Sequence, residues 1–193
     1  MNLIKNLGRK FIIMPVVKVL MMSKIHPILI TVSSLFLAII SFFFYWRGTF
    51  WAGAIFLILC GLFDAFDGEV ARQSNRVSKI GGFLDSTVDR INEFIVYLGL
   101  FSYYYGRTQY VLFWIFAAMF GSMMVSYTRA RGEGLGISPQ VGIFERFVRF
   151  IMLIIGSLLG PRIMVYVFVI LTVGTIQTTI QRIVFTHKES LKS

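Results

Sequence analysis

The chain has 193 residues, of which 56% are hydrophobic and only 15% charged, and its formal net charge is +10. A soluble domain carries about a quarter charged residues and about 45–50% apolar ones. The balance excludes a disordered chain, a disulfide scaffold and an ordinary soluble enzyme. It leaves an integral membrane protein whose excess Lys and Arg point first to cytoplasmic loops, and second to anionic headgroups or phosphorylated substrates, not to nucleic acid.

Residues 1–25 carry Lys5, Arg9, Lys10, Lys18 and Lys24, interleaved with Leu3, Ile4, Leu7, Phe11, Val17 and Leu20. A signal peptide sets a short basic stretch before one uninterrupted apolar core. Here the charges are spread throughout, which predicts an amphipathic helix lying on the inner membrane surface. Six apolar segments follow, over 28–46, 50–72, 83–105, 109–130, 142–160 and 163–184. Pro27 suits the first turn of the first span, where its missing N–H costs nothing. Gly48, Gly81, Gly82, Gly106, the stretch from Gly132 to Gly136, and Gly160 with Pro161 break the segments apart. Six spans of about 20 residues take about 120 and leave no room for a second domain. The expectation is a single all-α domain over 1–193, with a six-helix bundle over 28–184 behind the surface helix. The lone Cys60 lies in the second segment and forms no intrachain disulfide.

The cations test this topology. Of the 19 Lys and Arg residues, only Arg47, Arg107 and Arg162 fall on one side, one in each loop. The other 16 belong to the amino-terminal segment, the second–third and fourth–fifth connections, the start of the third span and the carboxyl end. The positive-inside rule then places both termini and the even-numbered loops in the cytoplasm.

The chain has four aspartates, Asp64, Asp67, Asp85 and Asp89, all at the cytoplasmic ends of the second and third spans. Asp64 and Asp67 are i and i+3, and Asp85 and Asp89 are i and i+4, so each pair shares a helix face. A short basic loop joins the two helices, which lets the pairs converge. An Asp in a membrane helix costs roughly 2.5–3.5 kcal/mol, so four cost on the order of 10 kcal/mol without compensation. Arg72 and Arg90 are candidate counter-charges, but four converging carboxylates suit hard divalent cations such as Mg²⁺. Two other readings exist: salt bridges that only fix helix packing, and an ion pathway through a small cation carrier. Against the pathway, the acids cluster near one surface, and no pair of broken helices is visible.

The fuller pattern is more specific. Asp64, Asp67, Gly68, Ala71, Arg72, Gly81, Asp85 and Asp89 stand at the spacing D-x2-D-G-x2-A-R-x8-G-x3-D-x3-D. This resembles the signature of the CDP-alcohol phosphotransferase family at every fixed position and gap, and six spans behind a surface helix are also that family's architecture. The resemblance implies transfer from a CDP-linked donor to a hydroxyl-bearing acceptor, with release of CMP. It implies two Mg²⁺ or Mn²⁺ ions held by Asp64, Asp67, Asp85 and Asp89, with Asp89 also the general base. It implies a donor site of Thr31, Asp64, Asp67, Gly68, Arg72 and Ser78, and a homodimer.

The acceptor is read from the arginines. The fourth span ends with Ser126, Arg129 and Arg131, the fifth begins with Glu145, Arg146 and Arg149, and the sixth ends with Gln181 and Arg182. Lys would serve the positive-inside rule equally well, whereas Arg binds phosphate bidentately. Three arginine-bearing helix ends on the same side as the aspartates form a candidate pocket for an anionic acceptor. The set looks like the branch that uses inositol phosphate, the phosphatidylinositol-phosphate synthases of bacteria and the archaetidylinositol-phosphate synthases of archaea, and that resemblance implies Ser126, Arg129, Arg146, Arg149 and Arg182 as the acceptor-phosphate residues. That branch implies a prokaryotic cell membrane, a CDP-diacylglycerol or CDP-archaeol donor, and inositol phosphate as acceptor. Glycerol 3-phosphate as acceptor, or CDP-inositol as donor giving di-myo-inositol phosphate phosphate, are the alternatives within the family.

Overall fold

The computed structural model describes residues 14, 16–18, 27–74 and 76–192. Six helices hold most of them: α1 (Pro27–Trp46), α2 (Phe50–Gln73), α3 (Lys79–Tyr104), α4 (Gln109–Glu133), α5 (Arg146–Leu159) and α6 (Pro161–Ser190). No strand occurs among the described residues. The surface helix expected over 1–25 lies outside them, apart from Met14 and residues 16–18, which are helical. Val17 is buried in one apolar cluster with Ile30, Phe66 and Val70.

Four helices, α1, α2, α4 and α6, are long and apolar enough to cross a membrane. The 26 residues of α3 include Lys79, Asp85, Asp89, Arg90 and Glu93 in its first fifteen positions, which lowers its mean hydropathy. The 14 residues of α5 rise about 21 Å, less than the roughly 30 Å of a hydrocarbon core.

Two helix starts differ by four residues from the apolar segments. α3 begins at Lys79 because Ser78 caps it: its Oγ accepts a hydrogen bond from the Gly81 amide at 3.0 Å. α5 begins at Arg146, not at 142, because residues 137–145 form an irregular strap laid on α6. Gly142 makes this possible. Its φ is +93°, and a Cβ there would sit 2.3 Å from Thr178 Cγ2. The Thr178 hydroxyl accepts from the Phe144 amide at 3.3 Å. The strap thereby sets where Arg146 and Arg149 enter the bundle.

α1 packs along both α2 and α3, α4 packs along α6, and α5 lies against α2 and α6. α2 and α3 are consecutive in the chain yet touch each other little, being held side by side through α1. In lipid, helices associate through close packing and interhelical hydrogen bonds. Such bonds recur here: Ser41 Oγ to the Gly53 carbonyl at 2.9 Å, Tyr45 Oη with Ser157 Oγ at 2.8 Å, and Asn92 Nδ2 to Ser34 Oγ at 2.9 Å. Each is worth on the order of 0.6 kcal/mol. Leu57, Tyr97, Leu100, Leu153 and Phe168 belong to the larger apolar cluster. The polar residues collect where α2 ends and α3 begins.

Candidate active site

Helical periodicity brings three of the four aspartates together as their spacing predicts, with Asp89 outside the trio. Ligand oxygens of Asp64, Asp67 and Asp85 all lie within 4.8 Å of one another. Thr31, one turn into α1, donates from Oγ1 to Asp67 Oδ2 at 2.6 Å, and both residues are buried. The first helix thus fixes an aspartate 36 positions away.

The counter-charges are not the expected ones. Among the described residues, neither Arg72 nor Arg90 forms an ion pair with an aspartate. Arg72 Nη2 donates to Glu69 Oε2 at 2.9 Å on its own helix. Arg90 Nη1 donates to the Ser86 carbonyl. The cation among the acids is Arg146, at the start of α5. Its Nη1 lies 2.7 Å from Asp64 Oδ2 and 2.6 Å from Asp89 Oδ2, bridging α2 and α3.

Arg149, one turn on, is fully buried and grips Glu93 with two nitrogens, Nε to Oε1 and Nη2 to Oε2, each at 2.8 Å. It also donates to the Phe144 carbonyl at 3.1 Å and to Ser126 Oγ at 3.4 Å. Glu93 is a site residue that the motif reading missed, and its signal was present. It continues the i, i+4 series of Asp85 and Asp89 on the same face of α3. Arg182 is 2% exposed and donates to two backbone carbonyls, Val125 at 2.7 Å and Val141 at 3.1 Å. Arg129 pairs with Glu133 at 2.9 Å at a half-exposed position.

Two cavities open on this cluster. One, of about 210 Å³, is lined by Thr31, Asp67, Gly68, Arg72, Ser78 and Asp85. A Cβ on Gly68 would lie 3.6 Å from Arg72 Nη1, so the bare backbone keeps the space beside that guanidinium open. The other, of about 340 Å³, is lined by Asp85, Asp89, Ser126, Arg129, Arg146, Arg149 and Arg182. Asp85 lines both. Asp64 lines neither; it sits at the head of an apolar groove between α2 and α5 that also holds Arg146. The structure thus brings the predicted donor residues, Asp64 apart, to one cavity and all the predicted acceptor residues to another.

The donor set fits a divalent metal. Three carboxylates on adjacent helix ends supply hard oxygen ligands at close quarters. Buried beside them, Asp89 Oδ1 accepts no hydrogen bond, although buried polar atoms are ordinarily satisfied. The same region matches a known family: the CDP-alcohol phosphatidyltransferase model aligns with residues 24–181. The chain belongs to the CDP-alcohol phosphatidyltransferase family.

Its similarity to individual proteins is consistent with this. It is 39% identical over 145 residues to the archaetidylinositol phosphate synthase of Methanothermobacter thermautotrophicus, covering 73% of this chain and 72% of that one. It is 36% identical over 164 residues to the phosphatidylinositol phosphate synthase of Streptomyces avermitilis, covering 78% and 67%. The crystal structure of Mycobacterium tuberculosis phosphatidylinositol phosphate synthase with CDP-DAG bound is similar at a TM-score of 0.84 and 25% identity, over 91% and 93% of the two chains. The same protein with manganese and citrate gives 0.83 at 25% identity, over 89% and 87%. Membership makes the chain a membrane enzyme of CDP-alcohol phosphotransferase chemistry and sets the cation-carrier reading aside.

Proposed function

We propose that the enzyme transfers the phosphatidyl-type group of a CDP-lipid, CDP-diacylglycerol or CDP-archaeol, to inositol phosphate with release of CMP. The observation that carries this is the pair of cavities sharing Asp85, one lined by Thr31, Asp67, Gly68, Arg72 and Ser78, the other by five arginines, Arg90 among them. A pocket with five guanidiniums suits an acceptor that carries its own phosphate. The names of the relatives support the same pairing of donor and acceptor.

In this mechanism the Gly68 backbone, Arg72 and Ser78 hold the cytidine and pyrophosphate end of the donor. Arg129, Arg146, Arg149 and Arg182, with Ser126, hold the acceptor phosphate and turn an acceptor hydroxyl toward Asp89. Asp89, which lines the arginine cavity, takes the hydroxyl proton on its carboxylate. The hydroxyl oxygen bonds to the lipid-bearing phosphorus, the phosphorus–oxygen bond to the CMP moiety breaks, and its electron pair leaves on CMP. Mg²⁺ or Mn²⁺, two ions held by Asp64, Asp67, Asp85 and Asp89, supplies the positive charge that neutralises the pyrophosphate.

The finer architecture belongs to the same proposal. The six helices sit in the membrane as one domain behind an amphipathic helix over 1–25, with α5 too short to cross by itself, both termini and the active site face the cytoplasm, and two copies form a homodimer. The positive-inside distribution supports the orientation.

The test is CMP release by the purified enzyme with CDP-diacylglycerol, CDP-archaeol or CDP-inositol, each with inositol phosphate or glycerol 3-phosphate. Release from a CDP-lipid that depends on inositol phosphate is the expected result. Release with glycerol 3-phosphate alone, or from CDP-inositol alone, overturns the assignment.

A further inference from the structure

At the opposite end of the bundle lies a cavity of about 560 Å³ between the end of α3 and the starts of α4 and α6. Tyr104 lies nineteen residues after Asp85 on α3, a rise of about 28 Å, so this cavity is remote from the aspartates. Its walls include Arg107 and Arg162, two of the three cations on this side, together with Tyr103, Thr108, Tyr110 and Tyr166.

The cations here have no acid to neutralise them. The sequence has no Asp or Glu over 1–63, 94–132 or 146–188, which covers every loop at this end. Arg107 is held in place: its guanidinium lies 4.7 Å from the Tyr103 ring centroid, and Nη1 donates to the Tyr103 carbonyl. Arg162 is exposed and makes no ion pair among the described residues. Tyr104 donates its hydroxyl to the Pro161 carbonyl, which ties the end of α3 to the start of α6 and fixes the cavity walls. The lining is rich in donors: two guanidiniums, tyrosine hydroxyls and the Thr108 hydroxyl. Tyr110 and Tyr166 are each 67% exposed, where tyrosines meet the headgroup layer of a bilayer.

We propose that this cavity binds a phosphate anion, with Arg107 and Arg162 as its two ligands. Two cations with no carboxylate nearby repel a choline or ethanolamine ammonium, so the source that fits is a phospholipid of net negative headgroup. The forked donors of arginine match the phosphodiester oxygens. Free phosphate shares the chemistry and is the second source.

The test is native mass spectrometry of the full-length, delipidated enzyme, titrated with dioleoyl phosphatidylglycerol, dioleoyl phosphatidylcholine or inorganic phosphate. The wild type is compared with Arg107→Gln/Arg162→Gln, with Arg162→Gln alone, and with Arg47→Gln, whose arginine does not line the cavity. The expected result is one phosphatidylglycerol more on the wild type and on Arg47→Gln than on the double variant. Arg162→Gln alone weakens that lipid at least about tenfold, or about 1.4 kcal/mol. Phosphatidylcholine is retained equally by all, and CMP release is unchanged. Displacement of the extra lipid by millimolar inorganic phosphate identifies a solute site, and its persistence identifies a lipid site. Equal phosphatidylglycerol on wild type and both cavity variants, or equal preference for phosphatidylcholine at the extra site, overturns the proposal.

Discussion

Glu93→Gln removes the counter-charge of a guanidinium that is itself fully buried. Arg149 then keeps the Phe144 carbonyl and Ser126 Oγ, at 3.1 and 3.4 Å, and one neutral amide oxygen in place of two carboxylate bonds at 2.8 Å. Breaking one side of a buried pair costs about 3–5 kcal/mol because the remaining charge is stranded. For a chain of this length about 1 kcal/mol corresponds to about 2–4 °C in Tm, so the expected loss is about 6–20 °C. The assay is thermal unfolding in detergent of Glu93→Gln, Arg149→Met and the double variant. Replacing both partners removes the stranded charge, so the double variant recovers part of the loss, with a coupling of at least about 1 kcal/mol. Acceptor KM rises in Glu93→Gln while donor KM holds, because Arg149 lines only the arginine cavity. A Tm change under about 2 °C, or strict additivity in the double variant, refutes the reasoning.

Three further outcomes follow from the same geometry. Asp64→Asn and Asp67→Asn abolish turnover and weaken Mn²⁺ binding measured by electron paramagnetic resonance; substantial residual activity counts against their metal role. Arg146→Gln raises acceptor KM and tightens Mn²⁺ binding without substrate, since Arg146 Nη1 and the ion compete for Asp64; unchanged Mn²⁺ affinity contradicts that competition. Thr31→Val removes a hydrogen bond to a carboxylate worth about 1.5–3 kcal/mol, which raises donor KM about tenfold or more and spares acceptor KM; an equal rise in both shows that Thr31 supports the whole cluster instead.

The aspartate cluster was legible because local rules determine it. Spacings of three and four put each pair on one helix face, and the short loop keeps the two helices close in the chain, although α1 is what holds them side by side. The arginine cavity was legible for a similar reason: its members all stand at helix ends on the basic side. The partner of each arginine was not, because partners depend on long-range packing. Arg146 reaches Asp64 across 82 positions, through the strap that Gly142 allows to lie on α6. Arg72 and Arg90, near the acids in sequence, are engaged by closer acceptors on their own helices, Glu69 and the Ser86 carbonyl. Glu93 stood in plain view as the next step of a four-residue series, but its role depends on α5, which short-range patterns do not place. The start of α5 was misjudged by four residues for a related reason: residues 142–145 precede the helix in an irregular strap held by Thr178.

The single carboxylate shared by both cavities has a consequence for stereochemistry and kinetic order. With donor and acceptor each in its proposed cavity, both occupy the enzyme together, and the transfer needs no covalent carrier. Initial-rate patterns with both substrates varied then intersect instead of running parallel. A donor made chiral by sulfur at the lipid-bearing phosphorus gives a product of inverted configuration, the mark of one in-line displacement.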